Sequence, residues 1–285
     1  MRGNCNPKFR NFSTSTENER SGRYRTSFLR SERVQSAHGG RQFGVHFAEL
    51  ARFFMPVQHD SRNLFLDGPA GRLEAILWTP KRPDSPPLAA VICHPHPVFG
   101  GTMHNKVVYQ AAKSMDALGV PVLRFNFRGA GLSAGLHDHG QGEQGDVEAA
   151  IEFLASACPK AGLLMAGFSF GSWVGLRVGC ADARVIELIG MGVPVNNSDF
   201  SYLSRCVKSK LIVQGTSDEH GAWEDVERVM AITPGSNRVE FVQGADHFFS
   251  GRLDELDRAI REWLVEQHPE LRRSSGHLPD GHPLP

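Results

Sequence analysis

The sequence predicts an α/β domain, a mostly parallel sheet covered by helices on both faces and entered through an antiparallel hairpin. Three observations carry this. From Leu88 to Gln267, short apolar runs alternate with helix-spaced patterns, as parallel strands joined by helical crossovers require. The run Leu88–Cys93 is apolar at every position, as expected of a strand buried on both faces. A serine stands between two glycines, in Gly167-Phe168-Ser169-Phe170-Gly171, where an apolar run gives way to a helical pattern.

The elements follow in order. Leu64-Phe65-Leu66, a turn at Asp67-Gly68-Pro69 and the partly alternating stretch Leu73 to Trp78 read as the hairpin. Pro80 to Pro87 is a loop, and Leu88 to Cys93 is the first parallel strand. A helix pattern spans Val107 to Leu118, followed by a strand at Val120 to Phe125, a glycine-rich loop from Arg128 to Gly145, and a helix from Val147 to Ala157. The run Leu163 to Ala166 leads into the serine turn and a helix to about Ala181. Strands at Val185 to Met191, Lys210 to Gln214 and Arg238 to Val242 follow, with helices at Trp223 to Ile232 and Leu253 to Gln267. No repeat or linker divides residues 56–267, so one domain is expected there. The stretch between Met191 and Lys210 is too short for a large lid.

The ends differ from this middle. Residues 1–55 are rich in Arg, Ser and Asn, with a helix-like apolar pattern only from Val45 to Phe54 and no apolar core of a secretory signal. An organelle transit peptide is weakened by Glu17, Glu19, Glu32 and Glu49. A disordered or spurious extension, with Met55 as the effective start, is expected. Residues 268–285, rich in Pro, Gly and His, are expected to be a disordered tail.

Composition narrows the function. Lys plus Arg and Asp plus Glu number 31 each, so the formal charge is zero and gives no reason to expect nucleic acid or an anionic membrane as partner. No apolar stretch approaches the roughly 18 residues that span a bilayer, so a cytoplasmic location is expected. The five cysteines, Cys5, Cys93, Cys158, Cys180 and Cys206, form an odd set without framework spacing, which predicts free thiols in a reducing compartment.

The glycine-flanked Ser169 has the form of a nucleophile elbow, a turn so tight that Gly167 and Gly171 must lack side chains. It aims the hydroxyl above the sheet, beside the positive end of the next helix. A serine hydroxyl is a poor nucleophile at neutral pH and needs a histidine base oriented by a carboxylate. Both occur just past later strands: Leu211-Ile-Val-Gln-Gly-Thr-Ser-Asp218 supplies the acid, and Phe241-Val-Gln-Gly-Ala-Asp-His247 supplies the base. Two neighbouring acids compete. Asp246 reads as a loop or cap residue, because adjacent side chains rarely face one another, and Glu219 as a weaker substitute for Asp218.

The oxyanion formed in acyl transfer needs two backbone N–H donors, one of them the residue after the nucleophile, here Phe170. The other is expected in Cys93-His94-Pro95-His96-Pro97-Val98-Phe99-Gly100-Gly101. The prolines have no N–H, which leaves His96, Val98 or a residue just beyond, with His96 preferred by position.

Taken together, His94-Pro-His96-Pro-x-Phe-Gly-Gly101, Arg124-Phe-Asn-Phe-Arg128-Gly-x-Gly131, the Gly167–Gly171 elbow, Gln214-Gly-x-x-Asp218-Glu and Gly244-Ala-Asp-His247-Phe-Phe resemble the lidless α/β-hydrolases related to dienelactone hydrolase. The resemblance covers about residues 60–267. It implies the α/β-hydrolase fold and a Ser169–Asp218–His247 triad, without specifying a substrate. Dienelactone hydrolase uses a cysteine nucleophile where this chain has Ser169, which argues against transferring its lactone activity.

The histidines His94, His96, His104, His137 and His139 invite a metal reading. Prolines break the first pair and no third ligand stands at helical spacing, so no metal and no cofactor is expected. Arg128 is expected to hold its loop by pairing with Glu143 or Asp146 rather than to bind substrate. Of Phe99, Met103, Phe168, Phe170 and Trp173, most are expected in the core. The sequence reading is thus a serine esterase acting on a small-molecule acyl substrate. A thioesterase, peptidase or lactonase with the same triad, or a binding module that keeps the fold without catalysis, are the alternatives.

Overall fold

The computed structural model describes residues 59–81 and 88–271. The expectations for residues 1–55, for most of the Pro80–Pro87 loop and for the tail from residue 272 lie outside the described residues. Eight strands form one sheet in the order β1-β2-β4-β3-β5-β6-β7-β8. Strands β1 (His59–Gly68) and β2 (Gly71–Pro80) make the expected hairpin, and β2 also runs antiparallel to β4 (Val122–Phe125). Strands β3 (Leu88–Cys93), β4, β5 (Gly162–Phe168), β6 (Val185–Met191), β7 (Ser209–Gly215) and β8 (Asn237–Val242) are parallel to one another.

The helices are α1 (Lys106–Asp116), α2 (Gln141–Ala157), α3 (Phe170–Ala181), α4 (Trp223–Ala231) and α5 (Leu253–Gln267). Alternate strand residues, among them Ala90, Ile92, Leu164, Ala166, Leu211 and Val213, join Val108, Ala112 and Met115 of α1 and Ile260 and Trp263 of α5 in one buried cluster. The period of 2 in the strands and of 3.6 in the helices puts these residues on facing surfaces. Because β3 lies between β4 and β5, the chain reverses its direction of travel across the sheet there. Loops from the carboxyl ends of β3 and β5 diverge at such a point and leave a crevice where ligands sit.

Several boundaries move for physical reasons. Strand β4 begins at Val122 rather than Val120, because Pro121 has no N–H for the ladder. Helix α2 begins at Gln141, six residues before the expected Val147 (147 − 141), because the Glu143 carboxylate accepts the N–H groups of Gly140 and Asp138 and closes its first turn. The chain also stays packed past Gln267. His268 contacts Glu187 at 2.9 Å, and Leu271 is completely buried.

The cysteine expectation is corrected outright. Cys180 at the end of α3 and Cys206 form a disulfide with Cα atoms 5.5 Å apart. Their sequence separation of 26 carries no framework signal, and only the fold brings them together. Cys93 and Cys158 are buried outside this bridge.

Candidate active site

The site grows from the end of β5. Ser169 is the N-cap of α3 with φ 55° and ψ −125°, a conformation that costs a non-glycine residue free energy and is held by its surroundings. A side chain at Gly167 would strike the Gly171 carbonyl, and one at Gly171 would strike the carbonyls of Cys93 and His94. The Ser172 hydroxyl donates to the Ser169 carbonyl at 2.6 Å and braces the turn from inside the helix.

The three residues named from sequence meet. His247 Nε2 lies 2.9 Å from Ser169 Oγ, and His247 Nδ1 lies 2.8 Å from Asp218 Oδ2. Asp218 and His247 are buried, whereas Ser169 is partly exposed. With Nδ1–H donated to the carboxylate, Nε2 is free to accept the serine proton. The competing acids stand elsewhere. Asp246 accepts the Ser250 N–H at 2.8 Å and caps the turn after His247, and Glu219 is exposed beside His220.

The loop after β3 closes the other side. His94 is completely buried; its Nδ1–H donates to the Pro95 carbonyl at 2.6 Å, and its Nε2 accepts the Phe127 N–H at 2.9 Å. Burial pushes its pKa down to about 4, so it is neutral and ties the β3 loop to the β4 loop. Sequence reasoning grouped His94 with possible metal ligands and missed this bridge; its place directly after an all-apolar strand was the available signal. His96 packs its ring on Phe170 with centroids 4.8 Å apart. Its carbonyl accepts from Phe99 and Gly101, while the N–H groups of His96 and Phe170 have no hydrogen-bond partner among the described residues. Val98, the other named candidate, sits on a short helical turn, Pro97–Phe99, and is 64% exposed.

Of the two carboxylates considered for Arg128, Asp146 is the partner. Arg128 Nε and Nη2 both bond it, and this raises the guanidinium pKa. Glu143 instead contacts His137 Nδ1 at 2.8 Å. The rings of His96 and His137 lie tilted against each other and against Phe170, with His139 edge-on to His137, and no group of three or more ligand-type residues is arranged for a metal among the described residues. Met103, Phe168 and Phe170 are core residues as expected; Phe99 is instead 84% exposed.

The family model described as "Alpha/beta hydrolase domain" matches residues 90–263, more than half of the chain. The chain belongs to the alpha/beta hydrolase family. Among solved structures it is similar to XC6422 from Xanthomonas campestris, described as a member of a/b serine hydrolase without lid. The identity is 36%, the match covers 74% of this chain and 96% of that one, and the TM-score is 0.68. An alpha-beta serine hydrolase homologue from Coxiella burnetii is 37% identical, with 71% and 97% of the two chains covered and a TM-score of 0.68. An uncharacterized protein of Rickettsia prowazekii, RP471, is 35% identical over 71% of this alpha/beta hydrolase and 88% of its own length. The lidless architecture is visible in the fold, because the connection from β6 to β7 contains only a short 3-10 helix, Ser201–Arg205. Among the described residues no helix is long and apolar enough to cross a membrane.

Proposed function

We propose that this alpha/beta hydrolase is a serine esterase cleaving small acyl esters. The continuous hydrogen-bonded line from Ser169 through His247 to Asp218 carries the proposal. His247 Nε2 takes the hydroxyl proton as Ser169 Oγ bonds to the acyl carbon, and Asp218 stabilises the imidazolium that results. The carbonyl oxygen becomes an oxyanion that accepts from the N–H groups of Phe170 and His96. The C–O bond to the alcohol then breaks, and the departing alkoxide takes its proton from His247. Water enters, loses a proton to His247 and attacks the acyl-serine; collapse of the second tetrahedral species returns the proton to Ser169 and releases the acid.

The short β6–β7 connection supports small or short-chain acyl substrates, since nothing on it can fold over a long chain to bury it. Hydrolysis of 4-nitrophenyl esters of increasing acyl length, run beside thioester and peptide substrates, tests the reading. We expect kcat/KM to be highest for short acyl esters and absent in Ser169→Ala. A preference for long-chain lipid esters, or turnover surviving in Ser169→Ala, contradicts it.

A further inference from the structure

We infer that Gln214 is a positioning residue for the triad carboxylate, and that its side-chain amide fixes the plane in which Asp218 presents an oxygen to His247. The inference rests on the Ser169–His247–Asp218 reading above. Gln214 lies near the end of β7, four residues before Asp218, and is completely buried. A buried amide is costly unless its polar atoms are satisfied, and here both ends are engaged. Its Oε1 accepts the N–H of Val193, in the loop after β6, at 2.7 Å. Its Nε2 donates to Asp218 Oδ2 and to the Gly221 carbonyl, each at 2.8 Å.

Those partners determine which way round the amide sits. A backbone N–H can only donate and a backbone carbonyl can only accept, so Val193 requires the oxygen and Gly221 requires the nitrogen. The nitrogen must therefore be the end that meets the carboxylate. Oδ2 is also the oxygen that His247 Nδ1 approaches, while Oδ1 accepts the His220 N–H at 2.8 Å. Three donors from three directions hold the carboxylate plane, and Asp218 cannot turn without breaking bonds to more than one of them. Without Gln214, Oδ2 would keep only His247, the residue whose orientation it has to set.

A purely architectural role is the competing explanation, because the same amide joins the loops that carry Val193 and Gly221. The two are separable by asking whether the effect of Gln214 requires the carboxylate. In the full chain, Gln214→Met removes both polar ends at similar volume. Gln214→Glu keeps the shape and presents an oxygen where a donor is needed, which holds the test open if the methionine variant does not fold. Each is made alone and together with Asp218→Ala. Hydrolysis of 4-nitrophenyl acetate and the rate of fluorophosphonate labelling are then measured, with thermal unfolding alongside.

We expect kcat to fall about 10- to 100-fold with KM little changed in each single variant, by analogy with the range seen when a hydrogen-bond partner behind a metal ligand is removed. We expect the further loss to vanish in the Asp218→Ala background, since coupled residues are non-additive. Single variants within twofold of the parent, or a loss that persists undiminished without Asp218, would overturn the inference. Failure of the underlying esterase reading looks different: the parent protein itself would neither label nor turn over.

Discussion

Ser169 is kept at a backbone conformation that an ordinary loop residue would leave, and the residues that keep it there are Gly167 and Gly171. Gly171→Ala should therefore drive its new methyl into the Cys93 and His94 carbonyls, and we expect loss of soluble, folded protein rather than a folded inactive one. Circular dichroism of the purified variant decides this. The carboxylate proposed as the triad acid makes a sharper prediction. Asp218→Asn should leave the fold intact but present the wrong partner to His247 Nδ1, lowering kcat by roughly four orders of magnitude. Asp246→Asn, whose carboxylate serves the Ser250 turn and lies within the field of Lys106, should stay within severalfold of the parent on the same ester. The reverse ranking would exchange the roles assigned to these two aspartates.

Elements behave differently from single residues, because their limits were set by partners distant in sequence. The start of α2 depends on Glu143 reaching back to Gly140 and Asp138, a spacing visible in the chain but hidden inside a glycine-rich stretch. Glu143→Ala should strand the buried Gly140 N–H, release that of the exposed Asp138, and cost about 1–3 kcal/mol of unfolding free energy, read by denaturant titration. Beyond α5, His268 binds Glu187 of β6, and that contact raises the imidazole pKa above its ordinary value of 6.5. A raised folded-state pKa adds stability that is fully present below the unfolded value and lost as pH climbs through the folded one. His268→Gln should therefore lower the melting temperature at pH 6 and leave it nearly unchanged at pH 9. Neither contact could be read from periodicity, whereas the all-apolar β3 and the elbow at the end of β5 were plain, since burial on both faces and tight turns each leave a local mark.

For the molecule as a whole, the order Ser169, Asp218, His247, each just past a strand, was enough to anticipate that they would meet. Open parallel sheets gather the ends of their strands at one edge. The Cys180–Cys206 bridge was not legible, because its partners approach only after α3 has packed and the β6–β7 connection has turned back over it. Closing a loop with a sequence separation of 26 restricts the unfolded chain by about 3.5 kcal/mol in the chain-entropy account. Cys206→Ser should lose stability of that order against the oxidised parent, and matching values for the variant and for the parent in reductant would tie the loss to the bridge. The central claim about the molecule concerns its nucleophile, and mass spectrometry of peptides after fluorophosphonate treatment tests it most directly. We predict one phosphonyl group per chain, on Ser169, formed far more slowly in His247→Ala; an unmodified Ser169, or an adduct that forms as fast without the imidazole, would contradict the account.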